Sequence, residues 1–263
     1  MFIGSELAYH PHYSSAERLY IRLFGVPIVG LRIRARNVFS LIPEDRSYRD
    51  ILDAGSGPGV FAFELGRRFP KANVLGIDLL KEAVEAAEQI CSRVEATNVR
   101  FQIGDLVTLP EVDRFDLVLC VDILEHIADD LAALRAIYRI MRPQGILVLH
   151  VPALYRRYPV WKKKLNFDVE THVRTGYTME DIRNKVIAAR LSILEMGYTY
   201  GFFETLANNL SYMITKARME NKKLYALAFP FLNGLSWLGV RARPKNLGAG
   251  IYIVAEKERP HDL

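Results

Sequence analysis

Residues 51–61 read Ile-Leu-Asp-Ala-Gly-Ser-Gly-Pro-Gly-Val-Phe, an apolar run ending in Asp53 and followed by Gly55, Gly57 and Gly59. Glycines at such a junction let the backbone turn sharply and approach a ligand with no Cβ in the way. A helix beginning there points unpaired N–H groups at the ligand, and Pro58 suits its first turn. This is a nucleotide-sized binding loop. It is not a dinucleotide fingerprint, which needs Gly-x-Gly-x-x-Gly, because Val60 stands at the third position. That disfavours a nicotinamide oxidoreductase. A second run, Val74–Asp78, ends in an acid about 20 residues beyond the loop, where nucleotide-binding βαβ units place the group that accepts from ribose hydroxyls.

Three further runs follow. Val99–Ile103 leads to Gly104 and Asp105; Phe115–Asp122 runs into Ile123-Leu124-Glu125-His126; and Ile146–Val151 follows the turn Met141–Gly145. Strands alternating with helical patterns imply parallel pairing with helices on both faces, an α/β fold. The intervening segments fit. Lys81–Glu95 and Asp129–Met141 each carry an apolar stripe at helical spacing, and Thr178 with Asp181 precedes Ile182, Val186 and Ile187 as a capping box precedes a helix. Leu191–Gly201 and Gly250–Glu256 read as strands six and seven.

This succession over residues 49–155 resembles the class I S-adenosylmethionine-dependent methyltransferases, in particular the small-molecule branch with the ubiquinone and menaquinone methyltransferases. The resemblance implies a Rossmann-like, seven-stranded, mostly parallel sheet and S-adenosylmethionine as cofactor. It implies that Gly55, Ser56, Gly57 and Gly59 approach the amino-acid part of the cofactor, with Asp53 supporting the loop. Asp78 would take the ribose hydroxyls. Asp105, after Gly104, would reach the adenine amino group, Leu79 and Leu106 would flank the ring, and Val121 and Asp122 would lie beside the methionine moiety. Methyl transfer needs a nucleophile held in line behind the methyl carbon, so positioning supplies much of the acceleration, and the cofactor carries the reactivity.

His126 is the candidate for a general base acting on a hydroxyl acceptor, since an imidazole titrates in the right range and His126 follows strand four. His150, at the end of strand five, is a weaker candidate. His172, Arg174 and Tyr177 form a polar His-x-Arg-x-x-Tyr cluster that either closes over substrate or ties its loop to the core. No metal is expected: Cys91 and Cys120 are too few for a convincing metal site or a disulfide framework and read as core thiols.

The remaining sequence falls into three units. Residues 1–48 form a helical lid, with an Arg-studded helix from about Gly30 to Leu41. Residues 49–201 and 250–258 form the methyltransferase core, and 202–249 a helical cap inserted between strands six and seven. Because the additions are rich in Tyr, Phe, Leu and Met, an apolar acceptor pocket or an interface is expected, and the acceptor is expected to be bulky or lipophilic and methylated on oxygen or carbon. The uncharged run Leu224–Val240 lies between Lys222/Lys223 and Arg241/Arg243/Lys245. It is short for a membrane span and is interrupted by Pro230 and glycines, but an apolar face with a basic rim suits peripheral contact with an anionic membrane.

At 263 residues the chain can bury a large core. With no apolar stretch behind a charged N-terminus, a cytoplasmic location is expected. The formal charge of +5 and the stretch Tyr155–Lys164, with five basic residues among Tyr155, Tyr158 and Trp161, raise a nucleic-acid methyltransferase as an alternative. Base N-methylating enzymes carry Asn/Asp-Pro-Pro-Tyr after strand four, whereas this chain has Asp122-Ile123-Leu124-Glu125. That removes the stacking Tyr and argues against nucleic acid. A non-catalytic, cofactor-binding scaffold is the other alternative, and an intact loop with intact acids argues against it.

Overall fold

The computed structural model describes residues 2–109, 113–157, 162–166, 169, 171–215, 221–239 and 246–259. Tyr158, Trp161, Arg241, Arg243 and Lys245 lie outside them. The N-terminal part holds α1 (Ser15–Phe24) and α2 (Val29–Phe39). The core then alternates β1 (Asp50–Ala54), α3 (Val60–Arg68), β2 (Asn73–Asp78), α4 (Lys81–Val94), β3 (Val99–Ile103), β4 (Phe115–Val121), α5 (Asp130–Ile140) and β5 (Met141–Pro152). A short hairpin, β6 (Tyr155–Arg157) and β7 (Lys163–Leu165), precedes α6 (Met179–Ala188) and β8 (Ser192–Thr199). Helices α7 (Phe202–Thr215) and α8 (Lys222–Trp237) form the insertion before β9 (Gly250–Glu256).

The seven-stranded sheet has the order β3-β2-β1-β4-β5-β9-β8. β9 alone runs opposite to the other six strands. Successive strand residues point to opposite faces, and here both faces are covered. Ile51, Leu117, Leu119 and Val148 enter one core with α3 and α4; Leu52, Val118, Cys120 and Leu149 enter the other with α5 and α6. Burial on both sides is why these strands read as unbroken apolar runs. The polar residue ending each run marks the carboxyl edge of the sheet.

Three features depart from the sequence reading. Helix α1 has a full capping box between Ser14 and Glu17, and the basic stretch after β5 contains a two-stranded hairpin. Helix α8 continues through Pro230 rather than breaking there. A proline has no N–H for the carbonyl four residues earlier, which here is that of Ala226. Tyr20 of α1 donates its hydroxyl to the Ala226 carbonyl at 2.6 Å, so the orphaned acceptor is satisfied from outside the helix. No described helix is long and apolar enough to cross a membrane.

The N-terminal helices and the insertion pack on each other. Val29 and Ile33 of α2 share an apolar cluster with Tyr200, Ala207, Tyr225, Phe229 and Leu232. Buried Glu204 of α7 pairs with Arg36 at 3.5 Å and accepts from Asn37 at 3.3 Å. Tyr225 and Phe229 are used in joining these elements, whereas Phe231 and Trp237 are exposed.

Candidate active site

The loop after β1 is fixed from beneath: the Gly55 and Ser56 amides both donate to the Ile77 carbonyl at 2.8 Å. Gly57 has φ +50°, and a Cβ there would meet nothing within 4 Å. The conformation favours glycine, and the space beside it is open for a ligand. Two buried polar atoms at this loop lack partners, Asp53 Oδ2 and Ser56 Oγ. Asp53 is only 2% exposed. Burial pushes its carboxyl up to about 7, against an amide hydrogen bond from Ala62 and with nearby Asp78 adding to the rise. An orphaned carboxyl oxygen at this loop fits the ammonium end of an amino-acid ligand.

Asp78 stands at the adjacent strand end. Its carboxylate accepts from the Gly57 amide at 2.8 Å and the Leu80 amide at 2.9 Å, and each oxygen keeps a lone pair for a further donor. Gly104 donates its amide to the Asp78 carbonyl at 3.0 Å. Asp105 caps the following turn through the Val107 amide at 2.9 Å. Leu79 is 67% exposed at this edge, whereas Leu106 is buried. The edge thus offers acids for hydroxyls and an exposed apolar side chain for a flat ring.

Beyond β4 lies a second, polar centre. Asp122 has φ +52°, unusual for a residue with a side chain. Its carboxylate is gripped by Arg34 at 2.7 Å and by His150 Nδ1 at 2.6 Å. Burial alone would raise the Asp122 carboxyl; the Arg34 guanidinium and His150 outweigh it and hold the group well below the usual carboxylate range. His150 Nε2 lies 2.9 Å from Thr199 Oγ1, so both ring nitrogens are engaged and the ring is buried. His126 is exposed, with Nδ1 3.0 Å from the Thr171 carbonyl. Glu125 is buried, and burial together with Asp122 raises its carboxyl well above the ordinary value.

Arg34, Glu125, His126, His172, Arg156 and Asn208 are among the residues lining a cavity of about 320 Å³ here. Arg174 and Tyr177 are not in its lining. Arg174 donates to the carbonyls of Leu124, Ile127 and Ala128, and the buried Tyr177 hydroxyl donates to Asp130 at 2.9 Å. These two anchor the loop that carries His172. Arg34 and Arg156 were not singled out by the sequence as site residues. Their signal is basic residues on the lid helix and just after β5, which a solvated face produces equally well.

A methyltransferase domain family matches residues 45–190. The chain belongs to the class I S-adenosylmethionine-dependent methyltransferases. It is 34% identical over 119 residues to trans-aconitate 2-methyltransferase of Deinococcus radiodurans, covering 45% of this chain and 43% of that one. It is 35% identical over 104 residues to demethylmenaquinone methyltransferase of the same organism, covering 39% and 43%. The chain thus spans less than half the length of these relatives. Among solved structures, phosphoethanolamine N-methyltransferase 2 of Haemonchus contortus, in complex with S-adenosyl-L-methionine, superposes with a TM-score of 0.64 at 15% identity, over 98% of this chain and 60% of that one. That likeness is one of fold. The family's cofactor fits the loop described above, where Asp53 Oδ2 and Ser56 Oγ await partners and Asp78 retains accepting capacity.

Proposed function

We propose that the chain transfers a methyl group to an oxygen of a small, polar acceptor held between the lid, the insertion and the sheet edge. The polar lining of the cavity carries this reading: Arg34, Arg156, His126, His172, Asn166 and Asn208 face it. Its volume of about 320 Å³ is at the small end for ligand sites. Pro152, Ala249 and the rings of Tyr200 and Tyr212 add an apolar part to the wall, so size rather than polarity weighs against the bulky, lipophilic acceptor expected from composition.

S-adenosylmethionine supplies an electrophilic methyl group when bound. The residues of this chain do the holding: Gly55, Ser56, Gly57, Gly59 and Asp53 at the amino-acid end, Asp78 at the ribose, and Leu79, Gly104, Asp105 and Leu106 around the base. Val121 and Asp122 stand beside the methionine part. The Thr171 carbonyl accepts from His126 Nδ1 and leaves Nε2 able to take a proton from an acceptor hydroxyl. His150, bonded at both nitrogens, positions Asp122. Residues 1–48 and 202–249 act as lid and cap over the core of 49–201 and 250–258.

Incubating the protein with methyl-labelled cofactor and a fractionated cell extract tests this, with mass spectrometry of each fraction. Label is expected in aqueous small molecules. Label confined to RNA or to lipid contradicts the reading, and no label in any fraction favours a scaffold.

We also propose peripheral contact with an anionic membrane. Leu224, Leu227 and Phe231, on one face of α8, are 56%, 74% and 80% exposed, with Lys222 and Lys223 exposed at the helix start. Salt-sensitive flotation with anionic but not neutral liposomes is expected, since basic residues near such a surface contribute about 1 kcal/mol each. No association at low salt contradicts it.

A further inference from the structure

Glu125, His126 and His172 bring three potential ligand atoms within 4.8 Å of one another, and all three residues line the cavity. Glu125 is 1% exposed, and its Oε2 has no hydrogen-bond partner. A buried carboxylate without a partner is costly. His126 has the opposite arrangement. The Thr171 carbonyl at 3.0 Å from Nδ1 can only accept, so Nδ1 carries the proton and Nε2 the lone pair. A backbone carbonyl fixing the other ring nitrogen is the usual support for a metal-ligating imidazole.

The spacing is built into the backbone. The Val173 and Arg174 amides donate to the Glu125 carbonyl at 2.9 and 3.4 Å, while Arg174 Nη1 reaches the Leu124 and Ile127 carbonyls at 2.7 and 2.8 Å. The loop bearing His172 is therefore clamped to the turn bearing Glu125 and His126, and the two imidazoles meet edge to face with centroids 4.6 Å apart.

We propose that Glu125, His126 and His172 bind a divalent transition cation, with at least one coordination position open to the cavity. Two imidazoles and a carboxylate suit zinc, cobalt or iron, whereas magnesium and calcium prefer oxygen ligands. Ligand atoms about 2.1 Å from an ion lie roughly 3–3.5 Å apart, so side-chain rotations of about an ångström complete the shell. Three protein ligands with an open position characterise reactive rather than structural sites. The role of the ion rests on the cavity being the acceptor site. An acceptor oxygen in the open position would be held in its deprotonated form, the work otherwise given to His126 as a free base. The cysteine-based expectation of no metal did not consider this set.

Calorimetry on chelator-stripped protein tests binding without any turnover. Zinc and cobalt chlorides are expected to bind with one equivalent, roughly 100-fold or more tighter than magnesium chloride. His172→Ala and Glu125→Gln should each weaken binding by about 10- to 100-fold or more, and Glu125→Gln keeps the side-chain shape should the first variant misfold. Variant His12→Ala, at an exposed histidine near His10, should leave binding unchanged. S-adenosylhomocysteine titrated into the same variants should bind as it does to the parent, which separates failure of the metal site from failure of the methyltransferase reading. No zinc or cobalt binding at millimolar concentration, or equal affinity in Glu125→Gln, overturns the proposal.

Discussion

Arg34, in the lid helix, grips Asp122 at the end of β4 at 2.7 Å, although Arg34 lies outside the region that matches the family and Asp122 lies inside it. The N-terminal segment therefore supplies a charge to the residue that ends β4. Asp122 sits between a permanent cation and a buried imidazole, and this holds its carboxylate ionised where burial alone would not.

Replacing Arg34 with Gln should lower stability at pH 7 by about 1–2 kcal/mol, allowing for the partial exposure of both side chains. Because the folded carboxyl of Asp122 is depressed, its contribution is present above the unfolded value and lost as pH falls from about 4. Chemical denaturation at several pH values should show parent and variant converging only below that point.

Asp53 behaves oppositely. Its folded carboxyl is raised from 3.8 to about 7, so the native state keeps a proton that the unfolded chain has released. The contribution is fully present below about 4 and is lost as pH rises toward 7, amounting to about 2–4 kcal/mol. Asp53→Asn should flatten this slope in thermal or denaturant unfolding and be the more stable form at pH 8. It should also weaken S-adenosylhomocysteine binding, which in the parent should strengthen from pH 6 to 8 as Asp53 ionises.

Tyr20→Phe removes the donor to the Ala226 carbonyl and should cost about 1–2 kcal/mol. In a Pro230→Ala background the helix can satisfy that carbonyl itself, so the same substitution should cost markedly less. A double-mutant denaturation cycle checks this, and equal costs in both backgrounds would show that the proline is not the reason for the contact.

The carboxyl edge of the sheet was legible in sequence because parallel strands covered on both faces appear as apolar runs, and Asp53, Asp78 and Asp122 mark where those runs end. The lid and insertion were less legible because their structure depends on distant partners. Tyr20 and Ala226 are 206 positions apart, and no local rule carries α8 through Pro230 without that contact. The Ser14–Glu17 capping box is a local signal for α1 that a search for apolar periodicity passes over. Arg34 looks like any solvated arginine until the fold of α2 brings it to Asp122. Asp122-Ile-Leu-Glu125-His126 was visible as a segment, but His172 joins it only through a loop held by Arg174.

Calorimetric titration of S-adenosylhomocysteine into the parent and into Asp78→Ala tests the central claim most directly. The account predicts saturable one-site binding to the parent, weakened in the variant by about 1.5–3 kcal/mol as charge-assisted hydrogen bonds to the ribose are lost. Binding of NAD with none of S-adenosylhomocysteine, or undiminished affinity in folded Asp78→Ala, would contradict it.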